Sequence, residues 1–223
     1  MRAPPVLQRG QNRLGASILA QVYAQIGDRT PDLDDPAELK RFFGAIRALA
    51  RDGLLIAYHD RSDGGLFAAA CEMAFAGRCG VTLNLDLLCY DPLAHDVDGN
   101  ERRPELMRGR DLERVLGALF AEELGALLQV RADDRDAVMR RLAAAGLHAQ
   151  MVGALNDRDE IRLVRNAKAV LAEPRVDLQR AWSELSYRMQ DLRDHPECAK
   201  EEFDRILDAA DPGLSAHLSF DPV

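Results

Sequence analysis

The chain has 223 residues, enough for one domain with an appended segment or for two small domains with a hydrophobic core. Hydrophobic residues make up 47% and charged residues 30% of the sequence, which excludes collagen-like and wholly disordered proteins. The net charge is −8, and this acidic balance argues against nucleic acid as a partner, because phosphate backbones attract basic surfaces.

The cysteines and the distribution of apolar residues indicate the cellular compartment. The four cysteines form no C-x-x-C pair and have no histidine at zinc-ligand spacing, so we expect buried, reduced thiols at Cys71, Cys79, Cys89 and Cys198. The N-terminus lacks the apolar centre of a signal peptide, and no run of about 18 apolar residues occurs. We therefore predict a soluble, cytoplasmic protein with no membrane partner.

The first part of the chain contains a predicted tail and two predicted helices. Residues 1–13 are polar and contain prolines, and we predict a tail or the stump of a preceding domain. Apolar residues at helical spacing predict a short helix over residues 17–26. A second helix is predicted between Asp35, its N-cap, and Gly53, which follows its end, with Pro36 at the first helical position.

A strand, a polar loop and a helix are predicted next. Residues 54–58 are nearly all apolar and predict a buried strand. Residues 59–65 read His-Asp-Arg-Ser-Asp-Gly-Gly and predict a loop, and residues 66–76 predict a helix that Gly77 ends. Ligands of α/β proteins often bind where strands end and helices begin, so this loop is the main candidate for a binding site.

The rest of the chain continues with alternating elements and ends in helices. Strands are predicted at residues 81–85, 126–130, 149–152, 161–164 and 169–171. Helices are predicted from Leu112 to about residue 124 and from Asp133 or Asp134 to Gly146, with a long surface excursion at residues 88–110. Beyond Pro174 a long helix is predicted, in which Trp182 would dock the helix onto the sheet.

The loop at residues 59–65 allows two interpretations. Asp60 could hold Mg²⁺, a cation that takes oxygen ligands and often shares them with nucleotide phosphates. Ser62 could donate to a phosphate oxygen, while Gly64 and Gly65 would let the backbone approach closely. Alternatively, Ser62 or Asp63 only caps the following helix, and Gly64 takes a positive φ.

Other polar groups give no stronger candidate, and we assign no catalytic residue. The chain contains no P-loop, dinucleotide fingerprint, G-x-S-x-G elbow or H-E-x-x-H pair. Glu122 and Glu123 are adjacent, and adjacent helical positions point about 100° apart, so we interpret them as a helix-end charge pair rather than a catalytic dyad. We interpret His59 as a core or loop histidine.

Several separated motifs resemble the large form of phosphoribosylformylglycinamidine synthase, a family of purine biosynthesis. They are HDRSDGGL at 59–66, EMAFAG at 72–77, LFAEELG at 119–125 and ADPGL at 210–214. The D-x-S-D-G-G element alone would indicate only the wider superfamily of aminoimidazole ribonucleotide synthetase-like, ATP-using enzymes. The resemblance implies an α/β fold of the α+β type, namely the C-terminal domain of that superfamily, with helices packed on a mixed sheet and a helical C-terminal extension.

The resemblance also implies that the chain is a fragment. Residues 14–173 would be the C-terminal domain of the second synthetase half, and residues 174–223 a helical connector toward a glutaminase domain. The family is a ligase that converts formylglycinamide ribonucleotide, glutamine and ATP into formylglycinamidine ribonucleotide. The implied partners are the preceding synthetase half and the glutaminase domain of the same polypeptide, together with a nucleotide, and we expect the isolated fragment to be inactive.

Two site residues carry over from the family. Asp60 matches a Mg²⁺ ligand and Ser62 matches a nucleotide contact, at a site that retains ATP or ADP without turnover. The remaining metal ligands would come from chain preceding Met1, and Gly15-Ala16-Ser17 stands where the family often has a double glycine. Two alternatives remain open: another aminoimidazole ribonucleotide synthetase-like enzyme, or a non-catalytic module that holds nucleotide or braces neighbouring domains.

Overall fold

The computed structural model describes residues 5–8, 11–27, 29–89, 104–211, 213 and 219–221. The chain divides into two units, Met1–Arg175 and Val176–Val223, and each is described by itself. Within the described residues, no helix combines the length and the apolar character needed to cross a membrane.

Strands and helices alternate along the first unit. In chain order its described elements are β1 (Pro5–Gln8), α1 (Ile18–Val22), α2 (Pro36–Arg51), β2 (Ala57–Asp60), α3 (Gly65–Gly77), β3 (Gly80–Asn84), α4 (Pro104–Phe120), β4 (Gly125–Gln129), α5 (Arg135–Ala144), β5 (Ala149–Met151), β6 (Gly153–Asn156), β7 (Glu160–Arg165) and β8 (Lys168–Pro174). The second unit contains α6 (Arg175–Arg193), which starts at the last residue of the first unit, then α7 (Pro196–Asp204) and a 3₁₀ turn (Arg205–Leu207).

The described strands form two four-stranded sheets. The first has the order β2-β4-β1-β5, and all of its neighbouring strands are antiparallel. The second has the order β6-β3-β7-β8 and is mixed, because β3 and β7 are parallel while the other pairs are antiparallel. The predicted α/β class with a mixed sheet is confirmed.

Helix α2 begins and ends where the sequence predicts. An Asp35 carboxylate oxygen accepts a hydrogen bond from the N–H of Ala37 at 2.9 Å, and Pro36 occupies the first helical position. Gly53, with a φ of +66°, follows the last turn. The buried face of α2 packs in a hydrophobic cluster formed by Phe42, Leu49, Ala126, Leu128, Val130, Val138, Leu142 and Leu147.

Residues 5–8 form a strand, whereas the sequence predicted a tail over residues 1–13. Strand β1 occupies an inner position of the first sheet, and Val6 is registered with Leu127 of β4 on one side and with Gln150 of β5 on the other. The prediction failed because a four-residue strand next to two prolines has little signal of its own. Pairing with two neighbouring strands, which come much later in the sequence, determines its conformation.

Other predicted boundaries also shift. Helix α1 ends at Val22 rather than at residue 26, and Ala24 takes a φ of +53°. Strand β2 begins at Ala57 and continues through Asp60, so two residues predicted in the polar loop belong to the strand. Helix α4 begins at Pro104, which makes the last part of the predicted excursion helical; residues 90–103 of that excursion lie outside the described residues. The sequence did not predict β6.

The second unit is held together by aromatic and charged contacts between its two helices. The rings of Tyr187 on α6 and Phe203 on α7 stack with their centroids 4.5 Å apart. The Arg180 guanidinium carbon lies 4.0 Å from the centroid of the Phe203 ring, and Arg180 also pairs with Asp204. Trp182 on α6 is 61% exposed, and its docking onto the sheet stays a prediction.

Two glycines allow α3 to start directly against the end of α4. Gly64 and Gly65 have φ values of +77° and +67°, a conformation that residues with a side chain rarely adopt. A Cβ atom on Gly65 would lie 2.6 Å from the carbonyl oxygen of Leu119 and 2.7 Å from the Cα atom of Phe120. This close approach brings the loop before α3 next to the turn after α4.

We expect Gly65→Ala to lower the free energy of unfolding by about 2 to 4 kcal/mol, because the new side chain adds both backbone strain and a backbone clash. Gly44→Ala is the matched control, since a Cβ at this position in α2 meets nothing within 4 Å. It should raise the free energy of unfolding by roughly 0.5 to 1 kcal/mol. Urea unfolding followed by circular dichroism measures both, and wild-type stability in Gly65→Ala would contradict the expectation.

Candidate functional site

The predicted polar loop connects the end of β2 to the start of α3. Asp60, the last residue of β2, is registered with Ala126 of β4. The N–H of Gly65 donates to the carbonyl oxygen of Ser62 at 2.9 Å, which closes a turn just before the helix. The end of a strand and the start of a helix therefore meet at this loop, as the sequence predicts.

The two predicted site residues are exposed on this loop. The Asp60 side chain is 64% exposed, and its carboxylate approaches His59 Nδ1 only to 3.9 Å. Ser62 is exposed as well, and its hydroxyl makes no hydrogen bond to the part of the chain that the structure describes. Both oxygen atoms are thus placed where a ligand could reach them.

The alternative interpretation of the loop as a simple helix cap is only partly correct. Gly64 is the N-cap residue of α3 and has the positive φ that this interpretation predicts. However, no side chain provides the cap hydrogen bond, so neither Ser62 nor Asp63 caps the helix. The exposed oxygen atoms of Ser62 and Asp63 are therefore not required by α3 itself.

Asp60 can provide one ligand of a magnesium site. Magnesium takes about six oxygen ligands in octahedral geometry, several of which are usually water or phosphate. Among the described residues, no group of three or more His, Cys, Asp or Glu side chains is arranged to hold a metal ion. The described part of the chain thus fits a shared magnesium site, to which it would contribute a single carboxylate.

His59 links the end of β2 to the following helix. Its Nε2 lies 2.8 Å from Glu72 Oε2 on α3, and its Nδ1 lies 2.7 Å from the carbonyl oxygen of Asp60. These contacts hold the backbone on either side of the exposed Asp60 carboxylate. His59, which we predicted to be a core or loop histidine, is a partly buried residue of β2.

Arg61 is the buried residue of the loop. It is 5% exposed, its Nε donates to the carbonyl oxygen of Glu123 at 3.0 Å, and its N–H donates to the carbonyl oxygen of Gly125 at 2.9 Å. Its two Nη atoms are buried and have no hydrogen-bond partner among the described residues. Burial lowers the pKa of Arg61 to about 10, and the Glu123 charge opposes this effect, so the guanidinium stays charged at neutral pH.

Glu122 and Glu123 lie in the turn after α4, and their side chains bind different partners. Glu122 Oε1 accepts hydrogen bonds from the N–H of Ile18 at 2.9 Å and from the N–H of Gly64 at 3.0 Å. The Glu123 carboxylate, 2% exposed, accepts from the N–H of Asn12 at 3.0 Å and pairs with the Nε of Arg13. The pair therefore holds three separate segments of the first unit.

The interpretation of these two glutamates as a charge pair within the end of a helix was wrong. Helix α4 ends at Phe120, so neither residue occupies a helical position, and the helical angle between adjacent side chains does not apply. The one signal in the sequence for a structural role was the position of the two glutamates within LFAEELG, directly before the buried strand β4. Spacing alone could not show that the partners lie 58 to 111 residues away along the chain.

We expect Glu123→Ala to lower the free energy of unfolding by about 3 to 5 kcal/mol, because it removes the charge that opposes the burial of the Arg61 guanidinium and one of the two carboxylates that pair with Arg13, the other being Asp34. Glu173→Ala is the control, since Glu173 is an exposed residue of β8, and it should change stability by no more than about 0.5 kcal/mol. Chemical unfolding of both variants tests this, and a loss below about 1 kcal/mol for Glu123→Ala would contradict it.

Comparison with known proteins places these features in a family. Residues 6–166 match the family model described as AIR synthase related protein, C-terminal domain. Similar solved structures include PurL of Thermotoga maritima complexed with ATP, at 15% identity and a TM-score of 0.53, covering 78% of this chain and 25% of that chain. PurL complexed with FGAR is similar at 17% identity and a TM-score of 0.55, covering 79% and 27%.

The match includes most of the first unit and more than half of the chain. The identities to PurL are low, so these structures show the fold, and the chain spans about a quarter of their length. The expected synthetase-like C-terminal fold is thereby confirmed. From the match over residues 6–166, we conclude that the chain belongs to the AIR synthase related protein, C-terminal domain family.

Proposed function

We propose that this chain is the nucleotide-holding part of a phosphoribosylformylglycinamidine synthase. The observation that carries the proposal is the pair of exposed side-chain oxygen atoms of Asp60 and Ser62, on a loop whose backbone is held by the buried Arg61 and by the hydrogen bond from Gly64 to Glu122. In this proposal Asp60 binds Mg²⁺ and Ser62 donates a hydrogen bond to a nucleotide phosphate.

Three independent features support a nucleotide as the ligand. The loop lies at the start of α3, where backbone N–H groups and the helix dipole favour a negatively charged group. Solved PurL structures with this fold include complexes with ATP, ADP and AMPPCP. The loop motif HDRSDGGL also resembles the corresponding motif of the synthase family.

The proposed parent reaction is that of a ligase that uses ATP and the amide nitrogen of glutamine. It converts formylglycinamide ribonucleotide into formylglycinamidine ribonucleotide, and a PurL structure of this fold contains FGAR. We assign no catalytic residue to the chain, because the exposed groups of its loop suit the retention of a nucleotide. Ammonia release from glutamine would be the task of a separate glutaminase domain.

The proposed partners are other parts of the same polypeptide. Residues 14–173 would act as the synthetase-like domain, and residues 174–223 would form a helical connector to the glutaminase domain. This division is supported by the separate helical unit from Val176 onward and by the end of the family match at residue 166. The single carboxylate at Asp60 also supports a site that other segments complete.

A reducing compartment such as the cytoplasm is part of the proposal. All four cysteines lie among the described residues and form no disulfide; Cys71 and Cys89 are buried as expected, whereas Cys79 is partly exposed and Cys198 is exposed. Burial raises the pKa of Cys71 to about 12, so this thiol is protonated and unreactive at neutral pH. These thiols are typical of cytoplasmic proteins.

We expect the isolated 223-residue chain to bind Mg-ATP weakly or not at all, because its described residues supply only one carboxylate to the metal. Calorimetric titration of the isolated chain, beside the full-length synthase that contains these residues, measures this directly. Micromolar affinity of the isolated chain would contradict the shared site. It would favour the alternative of a self-sufficient nucleotide-binding module.

We expect Asp60→Asn in the full-length synthase to weaken the binding of the retained Mg-nucleotide by about tenfold or more, because the amide removes a charged metal ligand. Asp63→Asn is the matched control, since Asp63 is an exposed carboxylate of the same loop that the proposal does not assign. Nucleotide content after purification and the melting temperature should fall for Asp60→Asn alone, with glutaminase activity unchanged. Wild-type nucleotide content in Asp60→Asn would reject the assignment.

A further inference from the structure

One carboxylate oxygen connects the starts of two helices in the first unit. Glu122 Oε1 accepts from the N–H of Gly64, the N-cap of α3, and from the N–H of Ile18, the first residue of α1. These partners lie 58 and 104 residues from Glu122 along the chain. The contact therefore fixes the loop before α3 relative to the segment before α1.

Among the described residues, each of these two N–H groups donates only to Glu122. The first N–H groups of a helix have no partner within the helix, so a side chain, water or ligand must satisfy them. Gly64 has no side chain, and the Ser17 hydroxyl caps α1 by accepting from Ala20, two residues beyond Ile18. Glu122 supplies a charged acceptor where the partial positive charge of both helix starts favours one.

The residues around Glu122 hold its backbone in place. On one side, the N–H of Ala121 donates to the carbonyl oxygen of Gly117 at 3.1 Å in the last turn of α4. On the other side, the buried Glu123 carboxylate is bound by Asn12 and Arg13, and its carbonyl oxygen by Arg61. The direction of the Glu122 side chain is thus set by buried contacts that do not involve the exposed loop residues.

We propose that Glu122 is a positioning residue for the nucleotide loop, acting through the Gly64 N–H on the turn that carries Ser62. The inference rests on the proposed function, because it concerns the nucleotide that Asp60 and Ser62 would hold. Gly64 lies inside the turn closed by the hydrogen bond from Gly65 to Ser62, so fixing its N–H restrains the backbone that carries the Ser62 hydroxyl. Glu122 itself touches no nucleotide.

The same contact links the loop to α1. Because one oxygen atom accepts from both N–H groups, loss of this acceptor releases the start of α1 and the start of α3 together. A residue that only stabilised the turn after α4 would not produce this paired effect. Faster hydrogen exchange at the amides of both Ile18 and Gly64 is therefore the result that identifies the positioning role.

The test uses the full-length polypeptide that contains these residues, with the variants Glu122→Ala and Glu122→Gln. Glu173→Gln, at an exposed glutamate of β8, is the control for loss of a negative charge. Hydrogen exchange resolved at the amides of Ile18 and Gly64 reports the contact, and calorimetry with Mg-ATP reports the site. The melting temperature of each variant shows whether the fold is retained.

We expect Glu122→Ala to exchange about tenfold faster at both amides and to bind Mg-ATP about tenfold more weakly, because two charge-assisted hydrogen bonds are lost. Glu122→Gln keeps an acceptor oxygen at the same length, so both effects should shrink to about threefold. The control should match the wild type in both measurements.

Two outcomes would overturn the inference, and a third would reject the proposed function on which it rests. Wild-type exchange in Glu122→Ala at either amide would show that the shared acceptor does not hold the two segments. Faster exchange at both amides with an unchanged affinity for Mg-ATP would remove the role in the nucleotide site. Failure of the wild-type polypeptide to bind Mg-ATP would instead reject the proposed function, and the exchange data would still decide whether Glu122 links the two segments.

Discussion

The buried carboxylate of Glu123 is the interaction on which the candidate site depends. A charge is removed from water at a high free-energy cost, and this cost is offset only when its partners are present with good geometry. Glu123 meets this condition with the backbone of Asn12, the guanidinium of Arg13 and, through its carbonyl oxygen, the buried Arg61. These groups come from three distant parts of the sequence, so the network is complete only when the first unit has its native arrangement.

The exposed loop derives its rigidity from contacts on its buried side. Gly65 lies against the backbone of α4, Arg61 is inserted behind the turn, and His59 joins β2 to α3. As a result, Asp60 and Ser62 can remain exposed while the backbone that carries them is fixed. Such an arrangement suits a binding site, because little conformational freedom is lost when a ligand binds.

The sequence predicted the elements whose signals are local. Helix α2 is marked by its N-cap, its proline and the following glycine, and α3 begins at a glycine pair in which both residues have a positive φ. The exposed positions of Asp60 and Ser62 agree with the predicted loop, although Asp60 belongs to β2. These features depend on hydrogen bonds and backbone angles within a few residues, which spacing can reveal.

The features that the sequence did not reveal depend on distant pairing. Strand β1 and the roles of Glu122 and Glu123 are determined by contacts with residues far along the chain, and no local pattern encodes them. Apolar spacing on α6 likewise predicts which face of the helix is apolar, but not whether that face is covered, and Trp182 is 61% exposed.

The inner position of β1 also affects how the first unit folds during synthesis. Within the first unit, β1 leaves the ribosome before its pairing strands β4 and β5, which begin only at residues 125 and 149. Strand β1 must therefore wait, unpaired, until these two later strands have emerged, and then enter between them. Such long-range pairing slows folding and leaves strand edges available for aggregation in the meantime.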